Sequence, residues 1–119
     1  MQTYDEWKME QEADDDVGFR LANLLPKRTG LPMMVWIEEK AQGSDQTPRM
    51  RFNNTVDSWL PISVEKANPR ILVENYELNI SDSDLMLLKK WIIYNCDTLT
   101  DYWNCKIDTA ECITNLVKI

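Results

Sequence analysis

The chain has 119 residues, a 44% hydrophobic fraction and a formal net charge of −7, enough for one domain with a core and too apolar for disorder throughout. It contains three cysteines and no histidine, which excludes Ser-His-Asp and Cys-His nucleophile arrangements and any imidazole base. It also argues against a zinc site and a disulfide scaffold.

No apolar run approaches the roughly 18–20 residues of a membrane span. The acidic, polar N-terminus reads neither as a secretory signal nor as a transit peptide, so the expected location is the cytoplasm. No metal or cofactor is expected. Carboxylates, Lys and Tyr could still do acid–base work, but no catalytic motif is recognisable and the expectation is a non-enzyme.

Residues 1–16 form an acidic arm. Asp5, Glu6, Glu10, Glu12, Asp14, Asp15 and Asp16 face Lys8 alone, a net of −6, as in solvated interaction tails. Tyr4 and Trp7 stand at i,i+3 spacing, so a short helix would present them together. Residues 17–119 are expected to form one α+β domain. Val17 to Leu25 fits a strand by alternation and a helix by its Leu spacing, with Gly18 weighing toward strand. Pro26 ends that segment, and Lys27-Arg28-Thr29-Gly30 reads as a turn.

Leu31 to Lys40 reads as a strand centred on Val35, Trp36 and Ile37. Ala41 to Pro48 is a polar loop, and Arg49-Met50-Arg51-Phe52 alternates as a half-buried strand. Asn53 to Ser58 is turn-rich. Leu60, Ile62 and Val64 then alternate with Pro61, Ser63 and Glu65, and Pro61 assigns that strand to an edge or places its start there. Asn68-Pro69 breaks the chain, and Ile71-Leu72-Val73 is expected as a short fourth strand.

The last third is helical. Ser81 with Asp84 resembles a capping box, and Ile80 with Leu85 can staple it. Leu85, Leu88, Trp91, Ile92, Cys96, Leu99 and Trp103 trace one continuous helical face from about residue 82 to about 103. Asp108 with Glu111 repeats the start, opening a short helix with Cys112, Ile113, Leu116 and Val117 on one face. The expected fold is a small antiparallel sheet of about three to five strands, packed on one face by a long and a short C-terminal helix.

Thr29-Gly30-Leu31-Pro32-Met33-Met34-Val35-Trp36-Ile37 resembles a block near the start of small uncharacterised bacterial proteins. Trp91-Ile92, Asn95, Leu99, Tyr102-Trp103-Asn104, Lys106-Ile107-Asp108-Thr109 and Glu111 resemble their C-terminal block. The resemblance spans roughly residues 19–119 and implies a fold rather than a reaction. Such proteins often carry glycine after the Trp-Asn pair. Cys105 stands there instead, which argues against a strict left-handed helix cap.

Candidate sites are surface features. Trp36 should point away from Val35 and Ile37, so with one sheet face covered it is either exposed or covered by something else, such as Trp7 or a second subunit. Arg20, Lys27, Arg28, Arg49 and Arg51 could form a basic patch. Lys27 to Gly30 lacks the Walker spacing. Glu38-Glu39 and Asp82/Asp84 read as strand decoration and helix-start charges. The leading expectation is a non-catalytic protein-binding module, a small regulator, inhibitor or antitoxin-like protein. Tyr4, Trp7, Asp14, Asp15, Asp16 and Trp36 are its interface candidates, and a homodimer is allowed. The alternative is nucleic-acid association through the basic middle, opposed by the arm's negative field.

Overall fold

The computed structural model describes residues 21–41, 43 and 45–119. The arm, Arg20 and the stretch 17–20 lie outside the described residues. The fold is α+β. Four strands, β1 (Leu21–Leu24), β2 (Val35–Glu38), β3 (Arg49–Thr55) and β4 (Ser58–Ser63), pair antiparallel in the order β1-β2-β3-β4. A single helical turn, α1 (Pro26–Thr29), links β1 to β2. The C-terminal helices are α2 (Asp82–Tyr94), α3 (Cys96–Trp103) and α4 (Thr109–Asn115).

Alternation sets the sheet's two faces. The register aligns Leu24 with Val35 and Phe52, and Ile37 with Met50 and Ile62. These six residues are at most 1% exposed and share one apolar cluster with Leu88, Trp91, Ile92, Leu99, Tyr102 and Cys112. The helices therefore cover the face their apolar residues match, and burial of that surface is the main stabilising term. The Trp91 indole Nε1 lies in this core with no hydrogen-bond partner among the described residues.

Several elements differ from their sequence-based expectation. The segment that fits strand or helix is strand over 21–24. Pro26 follows the end of that strand, as expected, and in addition opens a helical turn, as its fixed φ allows at a first helical position. Gly30 caps that turn at φ 79°. Of Leu31 to Lys40, only Val35–Glu38 pairs as strand. Asn53 to Thr55 extends β3, so the turn shrinks to Val56-Asp57. Ile71-Leu72-Val73 is not a strand. A lone bridge joins Ile71 to Ile62, with Ser63 N–H donating to the Arg70 carbonyl and Leu72 N–H to the Pro61 carbonyl. Pro61 sits on an edge strand, its backbone turned from β3, where a missing N–H costs no ladder bond.

The expected continuous helix of 82–103 is two helices broken at Asn95, which is 2% exposed. Its Nδ2 donates to the Trp91 carbonyl (3.0 Å) and the Val117 carbonyl (3.1 Å), and its Oδ1 accepts from Val117 N–H (2.7 Å). The amide thus ties the C-terminal tail to the helix junction. The tail continues to Ile119, whose N–H donates to the Thr29 carbonyl at 2.8 Å. A Cβ on Gly30 would lie 2.1 Å from the Ile119 carbonyl oxygen, so glycine is needed there both for φ and for the close approach.

Both expected helix caps are present. Ser81 Oγ accepts from Asp84 N–H at 3.1 Å, and Asp108 Oδ1 from Glu111 N–H at 2.8 Å. The end of α3 corrects the expectation about Cys105. Its φ is 62°, Lys106 N–H donates to the Asp101 carbonyl, and Cys105 N–H donates to the Tyr102 carbonyl. That is a Schellman closure with cysteine in the left-handed position.

Candidate functional site

Two surfaces remain after the core is closed. The first is the outer sheet face. Asn23, Trp36, Arg51 and Pro61 lie in one cross-strand row. Trp36 reaches across β3 to Trp59, with ring centroids 5.7 Å apart and planes at 72°, an edge-to-face contact. Arg51 Nε meets Glu38 Oε1 at 2.7 Å, with side chains 49% and 15% exposed. A cleft of about 280 Å³ opens beside them, lined by Trp36, Glu38, Glu39, Ala41, Gln46, Arg51 and Trp103. Trp103 is 3% exposed. It reaches the cleft because Lys40 N–H donates to its carbonyl, fastening the end of α3 just beyond β2.

Trp36 thus faces away from Val35 and Ile37, as alternation requires, and is half-buried against Trp59. The basic residues are not gathered. Lys27 and Arg28 are exposed on α1, beyond the end of the sheet marked by Leu24 and Val35. Arg49 begins β3 at the opposite end, opposite Ser63, and Arg51 is engaged by Glu38. Arg20, Tyr4, Trp7, Asp14, Asp15 and Asp16 lie outside the described residues.

The second surface is the outward side of α2. Met86 is 71% exposed, Ile93 41% and Tyr94 67%, and Val117 beside them is 59% exposed. Spacings of seven and eight residues bring Met86, Ile93 and Tyr94 onto one stripe. Pro69, Lys89 and Lys90 border it in a shallow groove of about 570 Å³. A second hollow shares Lys90 and Tyr94 and adds Val117, Lys118 and Ile119. Three lysines therefore rim one apolar strip, and among the described residues no acidic side chain lines either hollow.

This stripe and the buried asparagines went unassigned by sequence reasoning. Met86, Ile93 and Tyr94 are apolar residues outside the dominant face of their helix, a signal present in the spacing. Asn54 is a bulge residue between Asn53 and Thr55 in β3. Alternation after Met50 and Phe52 points its side chain inward, where Nδ2 donates to the Glu77 carbonyl (2.7 Å) and Oδ1 accepts from Asn79 N–H (2.8 Å).

Cys112 and Lys66, two groups with displaced pKa values, lie apart from both surfaces. Burial pushes the Cys112 thiol up to about 12. The hydrogen bond and the charge of Asp97, 3.1 Å away, raise Lys66 in an exposed ion pair. Among the described residues no three His, Cys, Asp or Glu side chains group as metal ligands, and no helix is long and apolar enough to cross a membrane. The chain matches no family model, no curated protein and no solved structure.

Proposed function

We propose that the chain is a non-catalytic protein-binding module of the cytoplasm, a small regulator or inhibitor. Its recognition surface is the outward stripe of α2. One observation carries the reading: Met86, Ile93, Tyr94 and Val117 are exposed side by side within a rim of Lys89, Lys90 and Lys118. Scattered exposed apolar residues need no explanation, but a contiguous strip with a charged border is the usual form of an interface. The lysines define the partner's chemistry as an apolar centre bordered by carboxylates.

The cleft beside Trp36 gives less support to catalysis. Its arginine is already engaged by Glu38, and Lys66 and Cys112, whose pKa values are displaced, lie elsewhere. Nucleic-acid binding through the basic middle has no gathered cationic face among the described residues to rest on, since Lys27 and Arg28 stand at one end of the sheet and Arg49 at the other.

The test is capture of a partner from the native cell by three forms of the full chain. Wild type and Val56→Asp, altered at an 84% exposed turn residue, should retain the same species, and Tyr94→Asp should lose it. Equal retention by all three would exclude the stripe as the interface. Self-association abolished by Tyr94→Asp would identify a second copy as the partner.

A further inference from the structure

The two hollows on the outward side of α2 share Lys90 and Tyr94. These residues stand four apart, and Met86 lies four before Lys90, so the three form one i±4 row along the helix. The C-terminal half of that row is a ridge with a depression on each side. Ile93 and Pro69 line one depression, and Val117 and Ile119 of the tail line the other. From Met86 to Tyr94 the row rises about 12 Å, a little over two turns. Charge is graded along the same row. Asp82 opens it, four residues before Met86, whereas Lys89 and Lys90 on the helix and Lys118 on the tail surround its far end. Asp97, the next acid in the chain beyond Tyr94, is paired with Lys66 at 3.1 Å.

We propose that the occupant of this surface is one acidic amphipathic helix of another protein, packed across the Lys90–Tyr94 ridge; this rests on the α2 stripe being the recognition surface. Helices pack by setting a ridge of one into a groove of the other. Two neighbouring rows of apolar side chains on the incoming helix would then straddle the ridge, one row seated in each hollow, as amphipathic helices seat in grooves. Its carboxylates would lie over the C-terminal half of α2, against Lys89, Lys90 and Lys118, where opposite charge speeds encounter and fixes orientation.

Other occupants fit less well. A strand binds by main-chain hydrogen bonds to an open edge, and the backbone of α2 is bonded within the helix. A second copy meeting this surface with its own would set the three lysines of each against those of the other, with no acidic side chain among the described lining residues to offset them. A bilayer that attracts lysines is anionic, and it repels a chain of net charge −7.

Selection from displayed random peptides of about 20 residues, long enough to turn helical on binding, tests it. The full wild-type chain is the bait, and full-length Tyr94→Asp serves for counter-selection, replaced by Met86→Asp should Tyr94→Asp unfold. Enriched peptides should carry apolar residues at i, i+3 or i+4, and i+7, with a net negative charge. A synthetic copy of the most enriched peptide should gain helical circular dichroism on binding. Lys89→Glu with Lys90→Glu should raise its Kd at least about tenfold, at an unfolding midpoint equal to that of wild type. Should that double variant unfold, Lys118→Glu takes its place. No enrichment that depends on the stripe would overturn the helix and the stripe together. Stripe-dependent peptides with two-residue alternation or net positive charge would overturn the helix alone, and so would binding indifferent to the lysine reversal. Dimerisation of wild type in sedimentation, abolished by Tyr94→Asp, would overturn it in favour of a second copy.

Discussion

Helix α2 carries two apolar stripes with different fates. Leu88, Trp91 and Ile92 are fully buried against the sheet, whereas Met86, Ile93 and Tyr94 on the other side stand open to water. The first stripe is what folding requires, since together with Leu99, Tyr102 and Cys112 it supplies the surface on which the inner face of β2 and β3 packs. The second contributes little to folding, because residues left in water in the native state gain little from forming it. An apolar stripe that folding does not use is the surface that the proposed partner would cover. The same contrast runs through the sheet, where Val35, Ile37, Met50 and Phe52 close the core while Trp36, Glu38 and Arg51 alternate with them on the other side.

Substitutions that separate the two stripes give the sharpest test. Trp91→Ala, on the closed side, should lower stability by about 3–5 kcal/mol in denaturant titration. A loss below about 1 kcal/mol would mean that the helix does not depend on its inner stripe. Cys112, also on the closed side, gives a pH test. Its folded pKa of about 12 lies above the ordinary 9.0, so the unfolded chain ionises first as pH rises. The contribution is complete below pH 9 and is lost between 9 and about 12. Wild type should therefore lose more stability over that window than Cys112→Ala, and Cys112 should resist alkylation at pH 8 until the protein unfolds.

Asn95→Ala should cost about 2 kcal/mol, because it removes three hydrogen bonds, two of them only partly buried at Val117. Faster exchange at residues 116–119, with α4 unchanged, would locate the loss in the tail. Cys105→Gly should raise stability by about 1 kcal/mol by relieving a left-handed cysteine, less the added freedom of the unfolded chain. Smallest of all, Met86→Asp on the open stripe should shift stability by no more than about 0.5 kcal/mol.

Much of the architecture was legible in the residues. Two-residue alternation identified β2, β3 and β4, and the cap pairs Ser81/Asp84 and Asp108/Glu111 located two helix starts. The break at Asn95 was not legible, because the apolar spacing continues smoothly from Ile92 through Cys96 to Leu99. What interrupts the helix is a tertiary partner, the Val117 backbone, 22 residues away in sequence. Ile71 to Val73 had strand-forming residues but makes only one bridge beyond the edge strand.

The site was legible in part. The direction of Trp36 follows from its neighbours Val35 and Ile37, but its contact with Trp59 depends on a register two strands wide. The stripe of Met86, Ile93 and Tyr94 was visible as spacing, yet the stronger inner face of the same helix masked it. Nothing in the residues distinguishes Asn54 and Asn95 from surface asparagines. Their roles come from where the backbone carries them.

The decisive measurement pairs stability with partner capture for Tyr94→Asp in the full chain. An unfolding midpoint within experimental error of wild type, together with loss of the captured partner, is the predicted result. Full capture by a stably folded Tyr94→Asp protein would contradict the account.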